Sequence, residues 1–306
     1  MWAYIIRRTL LMIPTVLGVL LLTFTLFSVV SKDPARAFAG RQASEESVRA
    51  IRAKMGLDRS KFAQFTDLAT FHFPQSMRYE RPVWSVIIER APVSLAIQIP
   101  AFFISIGLQL GIALLAASRR GTKLDLSITG LCVASLAVPS LAAYIMLQWL
   151  LGAKLRLFPV AGWDTGFYAV QYAALPILCL VLLSLGGGIR FFRTVILEEI
   201  NQDYVRTARS RGVSQRDILL VHVLRNVMIP VVTNTVTTLP LLIFGALILE
   251  RQFQIPGLGG LLTESIFAQD RSVVMAVTYL TALLYCFALL VSDILYTLVD
   301  PRVSLK

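Results

Sequence analysis

Charged side chains are scarce in this sequence. Asp, Glu, Lys and Arg make up 15% of its 306 residues, whereas a soluble domain carries about a quarter. Hydrophobic residues make up 56%, and the mean hydropathy is +0.71. This shortage of polar surface excludes an ordinary soluble protein. It indicates a chain for which lipid is the solvent along much of its length.

Several kinds of reactive or binding chemistry are also missing. No G-x-x-x-x-G-K-[ST] segment is present to cradle ATP phosphates. The two histidines, His72 and His222, are isolated in the sequence and have no cysteine or carboxylate cluster at metal-ligand spacing. Cys132, Cys179 and Cys286 all lie in apolar runs. We therefore expect no metal site and no disulfide framework, and we expect the three thiols to be buried and unpaired.

The sequence contains six long runs without Asp, Glu, Lys or Arg. Each of the six runs can supply the roughly 20 apolar residues that cross a bilayer. They are residues 9–31, 91–118, 126–153, 165–189, 226–249 and 272–292. We predict an all-α polytopic membrane protein with about six transmembrane helices. The first run is interpreted as a retained helix rather than a cleaved signal peptide. The expected parts are 1–31 (N-terminus and first helix), 32–90 (extracytoplasmic loop with short helices) and 91–306 (transmembrane core).

Orientation follows from Lys and Arg in the short loops, which collect near both termini and in the segment 190–225. The positive-inside rule therefore places both termini and this segment in the cytoplasm. The net charge of +11 is spread between apolar stretches, so it fits anionic lipid headgroups and a cytosolic protein partner better than nucleic acid.

The segment 32–90 contains the pattern of two short amphipathic helices. Ser44 can cap the first, which ends at Gly56. Its apolar face consists of Val48, Ile51 and Met55, and that of the second helix consists of Phe62, Phe65 and Leu68. Such helices either rest on the membrane surface or form a docking surface for an extracytoplasmic partner. The residues alone favour the first interpretation.

The segment 198–226 predicts a rigid helix–glycine–helix elbow. A helix from Asp203 to Arg211 would end at Gly212 in the left-handed conformation. Ser214 would then cap a second helix, with Asp217 at capping-box spacing. The elbow is either a solvated basic hairpin or a mechanical contact. Its rigidity favours a contact, because an inert connection needs no two caps.

The apolar runs carry almost no ionisable groups, and Glu250 and Asp293 lie at their ends. The polar groups inside the runs are neutral: Gln98, Gln109, Gln148, Asn234, Thr237 and Thr238. Ion-coupled carriers normally need a titratable group within the membrane. The chain therefore has the pattern of a transporter without its own energy source.

Several segments, in order along the chain, resemble the permease subunits of ATP-binding-cassette importers. The elbow is similar to their EAA loop, in the variant Asp-Tyr-Val-Arg-Thr-Ala-Arg-x-x-Gly found in peptide/nickel importers. Other matches are Ile-Pro-Thr around Pro14, Met55-Gly56-Leu57-Asp58, Phe253-x-Ile255-Pro256-Gly257-Leu258-Gly259 and Asp300-Pro301-Arg302. The length and the long first loop resemble the first of the two permeases in such systems. Two positions depart from the family pattern: Lys32 replaces a usual glycine, and Phe73-Pro74-Gln75-Ser76 lacks one.

The resemblance implies a type I importer fold in the inner membrane of a prokaryote, in a non-catalytic subunit that binds no cofactor. ATP and Mg²⁺ would bind to two partner ATPase subunits, beside a second permease and an extracytoplasmic solute-binding protein. The ATPase-coupling residues would be Asp203, Tyr204, Arg206, Thr207, Ala208, Arg209 and Gly212. The candidate pathway residues are Tyr144, Gln148, Asn234, Thr237 and Thr238. Candidate contacts with the binding protein are Pro256, Gly257 and Gly259.

Peptides are the expected substrate, and nickel chelates, glutathione or glycosides are the alternatives within this class. From other classes, an ion-coupled secondary carrier and a passive channel remain. The carrier is disfavoured by the missing intramembrane charge and by the absence of a visible internal repeat. The channel is disfavoured by the elbow, which a pore does not require.

Overall fold

The structure, a computed structural model, describes residues 2–30, 33–40, 43–243 and 247–299. Within these ranges the regular secondary structure is helical and contains no strand. Five helices are long and apolar enough to span a membrane, and a bent pair brings the number to six if it is one span. The predicted all-α polytopic fold is confirmed.

The α-helices, in chain order, are α1 (Trp2–Phe24), α2 (Pro34–Ala39), α3 (Glu45–Lys54), α4 (Lys61–Ala69), α5 (Val83–Ser118), α6 (Lys123–Ala137), α7 (Ser140–Leu147), α8 (Ala169–Ile200), α9 (Asp203–Ser210), α10 (Gln215–Asp217), α11 (Leu224–Ile243), α12 (Leu247–Gln252), α13 (Leu258–Phe267) and α14 (Arg271–Val299). Three π-helical segments continue α1, α7 and α10: Thr25–Val30, Gln148–Lys154 and Ile218–Val223.

Two of the predicted spans differ in shape from the expectation. The third is bent by 104° between α6 and α7. Val138 and Pro139 are extended at the bend, with ψ of 122° and 135°, because a proline disfavours the helical conformation in the residue before it. The fifth span begins at Gln215 rather than at residue 226. The second arm of the elbow and this span are therefore one continuous helical body.

The chain forms two compact units, each assembled from separate parts of the sequence. The first consists of Met1–Leu95 with Pro240–Asp293, and the second of Ala96–Leu239 with Ile294–Lys306.

In the first unit, the predicted short helices are present: α3 packs against α2, and α4 packs against longer helices. Ser44 caps α3 by accepting from the Ser47 amide at 3.2 Å, and Gly56 has the expected positive φ of 65°. Leu68 of α4 packs against Leu20 of α1 and Tyr279 of α14. The apolar face of α4 is divided: Phe65 and Leu68 pack inward, and the Phe62 side chain is 77% exposed.

In the second unit, the core joins α5, α6, α8, α9 and α11. Its buried members include Ala113, Cys132, Phe192, Val205 and Val227. All three cysteines are buried and unpaired, as predicted.

Candidate functional site

The elbow, defined here as residues 203–217, begins with α9 and a tight turn. Gly212 has φ of +76°, as predicted. The Gly212 amide donates to the Arg209 carbonyl at 3.0 Å, and the Val213 amide donates to the Ala208 carbonyl at 3.2 Å. These two bonds form a Schellman motif, which satisfies carbonyls that the helix end would otherwise leave open. The turn therefore ends α9 and fixes the direction in which the chain leaves it.

The second arm starts with a side-chain cap. The Ser214 hydroxyl accepts from the Asp217 amide at 3.1 Å and donates to the Asp217 carboxylate at 2.6 Å. This confirms the predicted cap at Ser214. Because the helical body continues from α10 into α11, the cap fixes the start of a span as well as the elbow.

Buried contacts anchor α9 to two longer helices. Val205 is 0% exposed and lies in the same core as Ile196 of α8 and Val227 of α11. The Tyr204 hydroxyl donates to the Glu199 carboxylate at 2.8 Å. Burial raises the pKa of Tyr204; a hydrogen bond with Asn226 opposes this shift, and the bond to Glu199 reinforces it. The first arm is thus held by packing and by a side-chain network.

The opposite face of α9 is polar and exposed. Arg206 pairs with Asp203 at 3.4 Å, one turn apart and in open solvent. The predicted coupling residues divide accordingly. Those that are exposed are Asp203, Arg206, Thr207, Arg209 and Gly212. Tyr204 is half-buried, and Ala208 is buried in the core. Ala208 therefore anchors the helix and presents no surface to a partner.

An ion pair that sequence reasoning missed lies in the same unit. Arg193 of α8 donates to both carboxylate oxygens of Asp125, at 2.7 and 2.8 Å. The Gly121 amide donates to the same carboxylate at 3.0 Å. Asp125 is only 3% exposed, so a bidentate pair with these satisfied oxygens is a strong link between α6 and α8. The partners are 68 residues apart in sequence, and no local pattern marks them.

The predicted pathway residues are partly engaged within the protein. Gln148 is buried and donates to the Val160 carbonyl at 2.7 Å. Thr238 donates to the Thr235 carbonyl one turn earlier, at 2.7 Å. Tyr144 is buried and Asn234 is half-buried. The side chain of Thr237 lies outside the described residues.

Gln109 of α5 also forms hydrogen bonds with a neighbouring helix, α8. Its amide donates to both the carbonyl and the hydroxyl of Ser184, at 3.1 Å each. The Ser184 hydroxyl in turn donates to Ser105 at 2.9 Å. A Cβ at Gly188 would collide with the Gln109 amide. This cluster is an interhelical polar contact of α5 with α8.

The glycine-rich loop after α12 is packed around a buried carboxylate. Glu250 is 1% exposed and accepts from the Ser94 hydroxyl at 2.7 Å and the Gly260 amide at 3.0 Å. A Cβ at Gly257 would meet the Glu250 carboxylate, and one at Gly259 would lie 2.7 Å from the Leu247 Cα. Close packing therefore explains these glycines. Both are buried, so the expected contact with a binding protein depends on Pro256, which is partly exposed.

Comparisons with known proteins cover nearly the whole chain. Residues 109–305 match the family described as binding-protein-dependent transport system inner membrane component. Residues 1–72 match the N-terminal part described for the same type of membrane component. A putative peptide transport system permease protein of Brucella suis is 36% identical over 311 residues, 99% of each chain. The oligopeptide transport system permease protein AppB of Bacillus subtilis is 32% identical, with 99% of this chain and 100% of the relative covered. The glutathione transport system permease protein GsiC of Salmonella typhi is 32% identical over 99% of each chain.

Proposed function

The chain belongs to the family of binding-protein-dependent transport system inner membrane components, and we propose that it is a permease subunit of an ATP-binding-cassette importer of peptides. The names of these relatives refer to peptide, oligopeptide and glutathione transport. Glutathione is itself a small peptide, so the three names support one substrate class. Neutral amide and hydroxyl groups in the spans suit such cargo, because they can contact varied peptides without selecting one charge.

The complex we propose contains a second permease, two ATPase subunits and an extracytoplasmic solute-binding protein. ATP and Mg²⁺ bind to the ATPase subunits, and this chain binds no cofactor and hydrolyses no ATP by itself. Both termini and the elbow face the cytoplasm of a prokaryotic cell, and the segment 32–90 faces the other side. The parts 1–31, 32–90 and 91–306 retain their proposed roles as first helix, loop segment and transmembrane core.

The elbow is proposed as the coupling element that contacts one ATPase subunit. The observation that carries this proposal is its two-sided construction: a polar exposed face with Arg206 and Arg209, backed by buried Val205. A force that the ATPase subunit applies to the exposed face of α9 is transmitted to α8 through the hydrogen bond between Tyr204 and Glu199. It is transmitted to α11 through the continuous second arm. Movement of the ATPase subunits would thus reorient two spans together.

The pathway is proposed to include Tyr144, Gln148, Asn234, Thr237 and Thr238. Since Gln148 already donates to Val160, its exposure to a pathway requires that bond to exchange with water or substrate. Single cysteines at Gln148 and Thr238 should therefore change in accessibility between nucleotide states of the assembled importer. Equal inaccessibility in every state would assign both groups to helix packing alone.

The test of the coupling contact is charge reversal on the exposed face of α9. Arg206→Glu and Arg209→Glu should leave membrane levels unchanged while reducing ATPase co-purification and ATP-driven peptide uptake. Arg49→Glu is the matched control, because Arg49 is an equally exposed arginine on α3. Wild-type recruitment and uptake by both α9 variants would leave the elbow as a solvated hairpin and remove the proposed coupling contact.

A further inference from the structure

A cavity of about 630 Å³ lies in the first unit. Its size is within the range of small-molecule sites. Its walls come from α3, α4, the residues before α5, and the ends of three long helices. The lining residues that matter here are Ser28, Lys54, Arg59, Gln64, Trp84 and Arg271.

The most informative wall residue is Arg271, which is only 8% exposed. Its Nε donates to the Phe27 carbonyl at 3.0 Å and its Nη2 to the Ser28 hydroxyl at 2.9 Å. Among the described residues, no carboxylate forms an ion pair with this guanidinium. The neighbouring Asp270 carboxylate accepts from the Ser76 hydroxyl, from the Arg78 amide and from the Val273 amide in the first turn of α14.

A buried guanidinium without an anion is energetically unfavourable. Only two of its five N–H donors are used in the bonds described above. An anion that enters the cavity would supply the missing negative charge and would accept hydrogen bonds from the remaining donors of Arg271.

The other charged residues of the lining also favour binding of an anion. Lys54, Arg59 and Arg271 supply three positive charges, and Asp67, which pairs with Arg59, supplies one negative charge, so the net charge of these groups is +2. The Gln64 side chain donates to the Arg59 carbonyl at 2.9 Å, yet its Oε1 is buried with no hydrogen-bond partner in the part of the chain that the structure describes. The cavity thus offers donors to an anion and one acceptor to a hydroxyl group.

The location identifies the source of the anion. Ser28 lies at the end of the first span, Arg271 at the start of the last, and Trp84 at the start of α5. Three span ends at one cavity mark the level of lipid headgroups, where tryptophan is enriched. Trp84 is partly exposed and its indole donates to the Phe71 carbonyl at 3.0 Å.

We propose that this cavity binds the headgroup of an anionic phospholipid. The phosphate accepts from Arg271 and Lys54, and a headgroup hydroxyl donates to Gln64. Phosphatidylglycerol has this combination of a net negative charge and free hydroxyls. The lipid would tie the first span, the last span and the segment 32–90 together at the membrane surface.

The experiment uses the full chain in detergent, titrated with phosphatidylglycerol or zwitterionic phosphatidylcholine and followed by native mass spectrometry. We expect one phosphatidylglycerol to bind in preference to phosphatidylcholine. Arg271→Gln should weaken that binding roughly tenfold, as expected for loss of a charge-assisted hydrogen bond. Lys54→Gln should weaken it several-fold, and it provides a second variant at an exposed position if the buried change prevents folding. Arg81→Gln is the control, because the Arg81 side chain is 42% exposed and pairs with Glu89 instead.

Three results would overturn the proposal. The first is equal binding of both lipids with no change in the Arg271 and Lys54 variants. The second is inorganic phosphate at millimolar concentration occupying the site and displacing the lipid, which would assign the cavity to a free anion. The third is a labelled tripeptide that binds the lipid-free chain and loses affinity on Arg271→Gln, which would assign it to a peptide carboxylate.

Discussion

Replacing Gly212 by valine tests whether the direction of α9 matters for coupling. The residue has φ of +76°, and a Cβ added there would have no neighbour within 4 Å. The penalty is therefore conformational rather than steric. It is about 1–2 kcal/mol for an ordinary side chain in the left-handed region, and it is larger for a β-branched one.

That penalty is comparable to the packing that holds α9 in place. Burial of a valine such as Val205 contributes about 1.5–3 kcal/mol. The chain can relieve the strain at residue 212 by moving α9 away from its native direction, at the expense of this anchor and of the two Schellman bonds. Because 1.4 kcal/mol is a factor of about ten in population, we expect the strain to raise the fraction of chains with α9 misdirected roughly tenfold. The six-span fold should persist.

The assay compares membrane levels, ATPase co-purification and ATP-driven peptide uptake for Gly212→Val and Gly212→Asn. The valine variant should be inserted normally but should recruit less ATPase and lose uptake. The asparagine variant should be milder, because asparagine tolerates the left-handed conformation. Gly40→Val is a matched control, since Gly40 has φ of +88° and also no neighbour within 4 Å of an added Cβ. Equal uptake by Gly212→Val and the wild type would refute the reasoning, and an equal loss in Gly40→Val would show a general folding defect.

Three further predictions concern other parts of the chain. Asp125→Asn should destabilise the protein by about 3 kcal/mol, since it leaves a partly buried arginine without its anion; an unchanged thermal midpoint would contradict this. Gly259→Ala should cost about 1–3 kcal/mol of overpacking, because its Cβ would lie 2.7 Å from the Leu247 Cα; thermal unfolding in detergent measures it. Single cysteines at Ser44 and Ser214 should label from opposite sides of the membrane, with the first accessible to an impermeant reagent on intact cells and the second not; the reverse pattern would invert the orientation.

Local features of the structure follow from neighbouring residues and were predictable. Ser44 and Ser214 cap helices because a hydroxyl reaches the amide three residues later. Gly56 and Gly212 end helices because glycine adopts a positive φ at little cost. The spans are recognisable because lipid requires about 20 uncharged residues. The bend at Pro139 follows from proline geometry, but proline is common in membrane helices, so the sequence did not predict which one would break the third span.

Long-range contacts were not predictable, since their partners carry no mutual signal in the sequence. Arg193 and Asp125 pair across 68 residues, and Ser94 meets Glu250 across 156. Gly257 and Gly259 were candidate contacts with a binding protein, yet the fold buries them beside that carboxylate. Packing also decided that Ala208, one of the predicted coupling residues, is buried in the core and anchors α9.

The sequence by itself determined that this protein spans a membrane, which segments supply its spans, that an elbow of two capped arms lies between two spans, and to which family the chain belongs. These properties depend on composition and on contacts within a few residues. Only the tertiary structure decided which face of the elbow is free, which carboxylates are paired inside the protein, and that a buried arginine lines a cavity near three span ends. Those properties depend on which segments, distant in sequence, pack against one another. The burial and desolvation of a side chain are set only by that packing.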